Sequence, residues 1–376
     1  MSARRSRLLV AGVATGTALA MTVLPAAGQE PRQVRPSATT IATGLDNPRG
    51  LDFGQDGVLY VAESGRGGSG PCLAGPEGGR VCFGATGAIT KISKGKRSRV
   101  VRGLPSLGDE GDGTSATGPS DVSMARGLHF TVGLGADPAR RADLPRLGRD
   151  AMGRLLTTHG RAGWRQQADI AGYEARVNPD GGVRDSNPNS VLATRHGQYV
   201  VDAGGNSLLF VPRKGTVRTV ATFPTRMVAP PPGVPAPPGG TIPMQSVPTS
   251  VVRGPDGALY VGELTGFPFP RGAARVYRVE PGERPQVYAA GFTNIIDIGF
   301  SSGGRLYVLE IAHNGLASGD PAGALLRVNR GGGHTLVHGE GLTMPGGLAL
   351  RHGSAYISNC GVCVGDGSVL KVPLHR

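Results

Sequence analysis

Short apolar runs bounded by Asp-Gly or Gly-Gly pairs recur along the whole chain. The run Asp56-Gly57-Val58-Leu59-Tyr60-Val61-Ala62-Glu63 returns as Asp256-Gly257-Ala258-Leu259-Tyr260-Val261-Gly262-Glu263. It returns again as Gly303-Gly304-Arg305-Leu306-Tyr307-Val308-Leu309-Glu310. Fainter copies begin at Arg126-Gly127, His196-Gly197 and His352-Gly353. Each follows a short apolar stretch, such as Gly50-Leu51-Asp52-Phe53 or Ser250-Val251-Val252. Glycine tolerates the positive φ of a tight turn, so every such pair predicts a hairpin. Third strands are expected at Ala88–Ile92, Ala274–Val279 and Ala324–Val328, and fourth strands at Arg99–Val101, Thr219–Thr222 and Gln286–Tyr288.

Four antiparallel strands repeated six times predict an all-β fold, a six-bladed β-propeller of four-stranded blades over residues 38–376. The sixth unit ends on three strands, at Lys371-Val372-Pro373-Leu374. Thr39-Thr40-Ile41-Ala42 has no partner at its own end of the repeat, so it is expected to close the last blade. Residues 134–168, with the only tryptophan (Trp164) and a short helix expected within Asp143–Leu156, read as an insertion. So do residues 229–240, a proline-rich loop of polyproline character.

Composition narrows the alternatives. The chain holds 63 glycines and 30 prolines in 376 residues, a level that raises collagen or low complexity. No G-X-Y period exists, and 39% hydrophobic residues can fill a core. Glycine and proline both disfavour helix interiors, which argues against a helical protein.

The first 28 residues read as an export signal. Arg4, Arg5 and Arg7 precede an apolar stretch from Leu8 to Leu24, and Ala26, Ala27 and Gly28 offer a cleavage site. Residues 29–37 are expected to be a disordered linker. No later stretch is apolar enough to span a membrane, and a secreted monomer is the expectation. Removing the signal's three arginines leaves +10 of the formal +13. The positive charges are nearly all dispersed arginines without interleaved aromatics, so nucleic acid is not the expected partner.

Four cysteines outside a reducing compartment point to disulfides rather than zinc. Proximity favours Cys72–Cys82 and Cys360–Cys363; closure of the ring also brings blade one beside blade six, which leaves an inter-blade bridge open.

In a propeller, the loops after second strands and before first strands open on one face, over the central channel. Glu63, Asp202, Asn206, Glu263, Glu310 and Asn359 fall there, with Asn47, Asn189, Asn294 and Asp297. These ten are the candidate ligand-binding residues. Carboxylate and amide oxygens suit a hard cation, so Glu63, Glu263, Asn294, Asp297 and Glu310 are candidate ligands for Ca²⁺. The same acids recur at one blade position, as a repeat consensus serving backbone amides would. His313, beside Glu310, is the best proton-transfer candidate. No G-x-S-x-G or H-E-x-x-H motif is present.

The run Glu263-Leu264-Thr265-Gly266-Phe267-Pro268-Phe269-Pro270, followed by Ala274–Val279 and Gly291–Asp297, resembles the ScyD/ScyE family of exported propellers. So do Asn178-Pro179-Asp180-Gly181-Gly182 and Asp202-Ala203-Gly204-Gly205-Asn206. The resemblance covers residues 40–376 and implies a secreted six-bladed propeller without an assigned activity. The blades also resemble NHL repeats and, more distantly, the gluconolactonase group, which implies metal-dependent hydrolysis. Three functions follow as expectations. The first is binding of a small molecule or polymer at the channel face. The others are a metal-dependent lactonase or related hydrolase, and an extracellular interaction scaffold.

Overall fold

The computed structural model describes residues 37–75, 78–160 and 163–374. The expected signal, and the expected linker up to residue 36, lie outside these residues. Six antiparallel sheets form the ring of a six-bladed β-propeller. Blade one comprises Pro48–Phe53, Leu59–Glu63, Arg80–Ser93 and Lys96–Asp109, and blade two Pro119–Met124, Leu128–Val132, Arg154–His159 and Gly163–Asp169. Blade three runs Pro188–Ala193, Gly197–Asp202, Ser207–Pro212 and Arg218–Thr222, and blade four Pro248–Arg253, Leu259–Glu263, Ala274–Val279 and Gln286–Phe292. Blade five is Ile295–Phe300, Leu306–Glu310, Ala324–Val328 and His334–His338.

Blade six supplies Gly347–Arg351, Ser354–Asn359 and Gly367–Pro373, and Thr39–Leu45 completes it. Thr39 lies opposite Lys371 and Leu45 opposite Gly367. The ring is therefore closed by the N-terminal strand.

The hairpins form for the reason the repeat implies. Gly57, Gly257 and Gly304 have φ of 80°, 83° and 72°, which an L side chain rarely adopts. Asp56 and Asp256 turn back to accept the amides of Val58 and Ala258 at 3.1 and 3.3 Å. Between blades the faces are apolar. Val201, Phe223, Val261 and Tyr277 fill the joint of blades three and four, and Leu309, Leu325, Leu348 and Ile357 that of five and six. Each such side chain contributes about 1.5–3 kcal/mol by leaving water. Tyr260 meets Phe300, and Tyr356 meets Phe53, edge to face across blade boundaries at 4.8 Å.

Residues 134–168 are more than an insertion. Two of blade two's strands, Arg154–His159 and all but the last residue of Gly163–Asp169, fall in them, so only the part before Arg154 interrupts the repeat. That part holds a 3₁₀ turn, Pro138–Asp143, and a helix, Arg146–Ala151. A second helix, Ile170–Val177, follows the blade. The proline-rich loop joins strands Arg226–Val228 and Ile242–Met244, which pair as a hairpin.

Both disulfides are local, Cys72–Cys82 and Cys360–Cys363, so no bridge crosses between blades. The seam of blades six and one is nevertheless tied, because the Asn47 amide donates to the Cys363 carbonyl at 2.7 Å.

The two faces of the ring differ. On one face the hairpin connections are short, none longer than residues 280–285. The other face carries residues 64–75, 133–153, 170–187, 223–247, 264–273 and 311–323, and both disulfides. There the long strands of blade one rise above the ring. With Cys72–Ala74 they pack Leu73, Val81 and Phe83 against Leu134, Leu144 and Met152 of the inserted segment.

Candidate functional site

The loop-bearing face holds the acids that end second strands. Glu63 is fully buried. It accepts from the Asp46 amide at 2.9 Å, from Thr90 Oγ1, and from Arg99 Nη2 at 2.9 Å. Glu263 accepts from Ser246 Oγ at 2.8 Å, Arg226 Nη2 at 2.7 Å and Tyr277 OH at 3.2 Å. Glu310 accepts from the Thr293 amide at 2.7 Å and from His313 Nδ1. In these three blades the acid clasps the loop that leads into its own first strand, two residues before the strand begins. Burial raises the carboxyls of Glu263 and Glu310, against the opposing pull of Arg226 and His313 respectively.

The asparagines serve the same loops. Asn47 and Asn294 sit at φ 47°, a left-handed conformation asparagine tolerates. Asn47 Nδ2 donates to the Gly65 and Gly113 carbonyls at 2.7 and 3.1 Å. Asn294 binds Leu264 O at 3.0 Å and the Leu316 amide at 2.9 Å. Asn359 holds the Thr343 amide and the Gly341 carbonyl. Asn189 joins three blades, accepting from Ser120 Oγ at 2.9 Å and donating to Thr249 O at 2.7 Å.

The structure thus places the predicted acids around one face without gathering them to one point. Among the described residues, the only trio of cysteine, histidine or carboxylate ligand atoms within 4.8 Å of one another is Cys72, Cys82 and Glu110. Those cysteines are already bonded to each other.

Blade three differs from its neighbours. Asp202 accepts from Ser186 Oγ, the Asn187 amide and the Gly205 amide at 2.7, 2.6 and 3.3 Å. Its electrostatic neighbours are acids, where Glu63 has Arg99 and Glu263 has Arg226. Glu174, on the helix Ile170–Val177, is buried beside it, and Asp180 and Asp185 lie in the following loop. Burial, with the charges of Asp202, Asp180 and Asp185, pushes Glu174 up to about 7. Burial pushes Asp202 up to about 6. Asn206 belongs to this corner as well, donating to Asp180 Oδ2 at 2.9 Å. Of the predicted residues, Asp202 and Asn206 are the two brought together here. Glu174 and Asp185 escaped the sequence reading because they lie in a segment with no counterpart in other blades.

The innermost strands hold a second set. Asp297 accepts from the Ile298 amide and from the Leu348 amide of blade six, each at 2.7 Å. Asp121 does the same toward Val191 and Ser190 of blade three, and Asp52 toward Met124 of blade two. Asp52 and Asp121 were not among the residues expected at the site. Burial raises all three, Asp297 to about 7.

His313 lies at the mouth of blade five. Its Nδ1 pairs with buried Glu310, while its side chain is 41% exposed. A carboxylate at Nδ1 fixes the ring and leaves Nε2 toward solvent.

These features define a six-bladed β-propeller with an elaborated face. No family model matches the chain, and no curated protein sequence does. Solved structures do share the fold. A glucose dehydrogenase is 13% identical, with 91% of this chain and 100% of that chain covered and a TM-score of 0.50. An auxiliary nutrient binding protein from Bacteroides thetaiotaomicron is 8% identical, with 88% and 70% covered and a TM-score of 0.51. At these identities the likeness is one of fold.

Proposed function

We propose that the chain is an exported propeller of the ScyD/ScyE type that binds a small molecule or polymer at its loop-bearing face. The carrying observation is the asymmetry of the two faces, with the long connections and both disulfides on one side. Loops positioned by a rigid scaffold are where binding residues concentrate. Phe267, 53% exposed, and Met227, 60% exposed, lie in these loops and offer apolar contact beside polar backbone. The two disulfides, together with the export-signal pattern expected in residues 1–28, support a location outside the cytoplasm.

The test is a binding screen of the purified protein against dextran, alginate, cellobiose and gluconolactone, read by calorimetry. Phe267→Ala and a variant with residues 229–240 shortened to a Gly-Ser turn serve as probes of the face. Binding that these variants weaken supports the reading. No binding across the panel, or binding indifferent to both variants, overturns it.

A hydrolytic reading draws on one observation, the exposed His313 held by buried Glu310. Lactone hydrolysis that is lost in His313→Ala but kept in Phe267→Ala would favour it over simple binding.

A further inference from the structure

The corner of blade three has an unexplained surplus of acceptors. Glu174 is 1% exposed, and its Oε1 accepts no hydrogen bond. Asp185 Oδ1 and Asn178 Oδ1 are buried in the same condition. Buried acceptors are nearly always paired, and a buried carboxylate without a partner is costly. The other blades supply an internal control. Glu63 is answered by Arg99, Glu263 by Arg226 and Glu310 by His313. Asp202 has an acid in that place: the charge of Asp185 acts on it, and Asp202, Asp180 and Asp185 all act on Glu174, with Arg184 opposing them.

The backbone makes room for these carboxylates. A Cβ on Gly205 would stand 2.7 Å from Glu174 Oε2 and 3.4 Å from Asp202 Cγ, so the Glu174 carboxyl points into this corner. A Cβ on Gly204 would stand 2.9 Å from Asp185 Cγ. Asp180 Oδ2 accepts from the buried Asn206 Nδ2 at 2.9 Å, and its Oδ1 from the Gly182 amide at 2.8 Å.

We propose that Glu174, Asp180, Asp185 and Asn178 bind a divalent cation of the calcium type, with Asp202 adding negative charge behind them. The donors are carboxylate and amide oxygens without sulfur or imidazole, the set a hard cation prefers. The residues differ from the blade-end acids Glu63, Glu263 and Glu310, and lie in the connection 170–187, apart in sequence from Met227 and Phe267. No three of these carboxylates have oxygens within 4.8 Å of one another, so binding draws the loop 178–185 toward Glu174.

The experiment is calcium titration of the chelator-treated full chain by calorimetry, with thermal unfolding and limited proteolysis in parallel. The expected result is saturable 1:1 binding at or below about 1 mM, the weak end for extracellular calcium modules. A raised midpoint and slower cleavage within 178–187 should accompany it. Glu174→Gln should weaken binding at least about tenfold while leaving the metal-free protein folded. Asp185→Asn is the second variant if Glu174→Gln does not fold. No saturable heat at that concentration, or binding unchanged in the folded variant, overturns the proposal.

Discussion

Asp121 and Asp297 occupy corresponding positions on the innermost strands of opposite blades, two and five, and burial, with the charge of Asp297 added, raises the Asp121 carboxyl. Each also clasps the next blade, Asp121 through the Val191 amide at 2.9 Å and Asp297 through the Leu348 amide at 2.7 Å. The ring is stitched at its centre by groups that resist ionisation.

That arrangement fixes a pH dependence. Asp297 is held at about 7 in the folded protein against an ordinary 3.8. The folded state therefore binds more protons than the unfolded state between those values. Its contribution is complete below about pH 4, falls as pH rises to 7 and is level above. Asp297→Asn keeps one acceptor and loses the charge. The variant should be less stable than wild type near pH 4.5, and the deficit should shrink or reverse by pH 8. Urea unfolding at the two pH values checks this, and parallel stability curves would count against it.

The hairpins, the blade count and the ring closure were legible in the sequence because each is a local pattern. Asp56-Gly57 dictates its own turn, and Thr39–Ala42 stands out as a strand without a neighbour. The role of Glu63 was less legible. A strand-end acid can face the axis or turn into its own blade, and the deciding partner, Arg99, lies 36 residues away. Residues 134–168 were misjudged in extent because Arg154–His159 pairs with Leu128–Val132 across residues 133–153, a longer connection between second and third strands than any other blade has. Glu174 lay beyond any repeat-based comparison.

Arg226 anchors the proline-rich hairpin to Glu263 at 2.7 Å and to the Ala273 carbonyl at 2.8 Å. Arg226→Ala leaves a fully buried carboxylate without its cation, which should cost about 3–5 kcal/mol. Glu263→Gln in the same chain should recover part of that loss. A double-mutant cycle by urea denaturation measures the coupling, and additive losses would show that the pair is not linked.

Cys72–Cys82 tethers the raised part of blade one rather than the ring. The chain-entropy model assigns a loop of this length about 2–3 kcal/mol. The paired Cys72→Ala, Cys82→Ala variant should lose amide protection in residues 72–84 and 104–109, while the strands of blades three to five keep theirs. Hydrogen exchange resolved by peptide checks it, and uniform loss around the ring would contradict a local role.

Asp169 joins three jobs at the point where blade two gives way to the helix Ile170–Val177. Its Oδ1 accepts the Gly172 amide at 2.8 Å as the helix N-cap. Arg141 Nη1 and Arg154 Nη1 pair with its two oxygens at 2.7 and 2.9 Å, tying the inserted segment to blade two. These contacts outweigh burial and hold its carboxyl below the usual range. The sign is opposite to that of Asp297: stability from Asp169 is present above about pH 4 and is lost as pH falls through its folded value. Loss of the cap alone costs about 0.5–2 kcal/mol, and Asp169→Ala also leaves two arginines facing each other. Asp169→Asn keeps the cap and gives up the charge, so it should lose less than Asp169→Ala near pH 7. Unfolding of the three proteins at that pH checks the order, and equal losses would place the whole effect in the ion pairs.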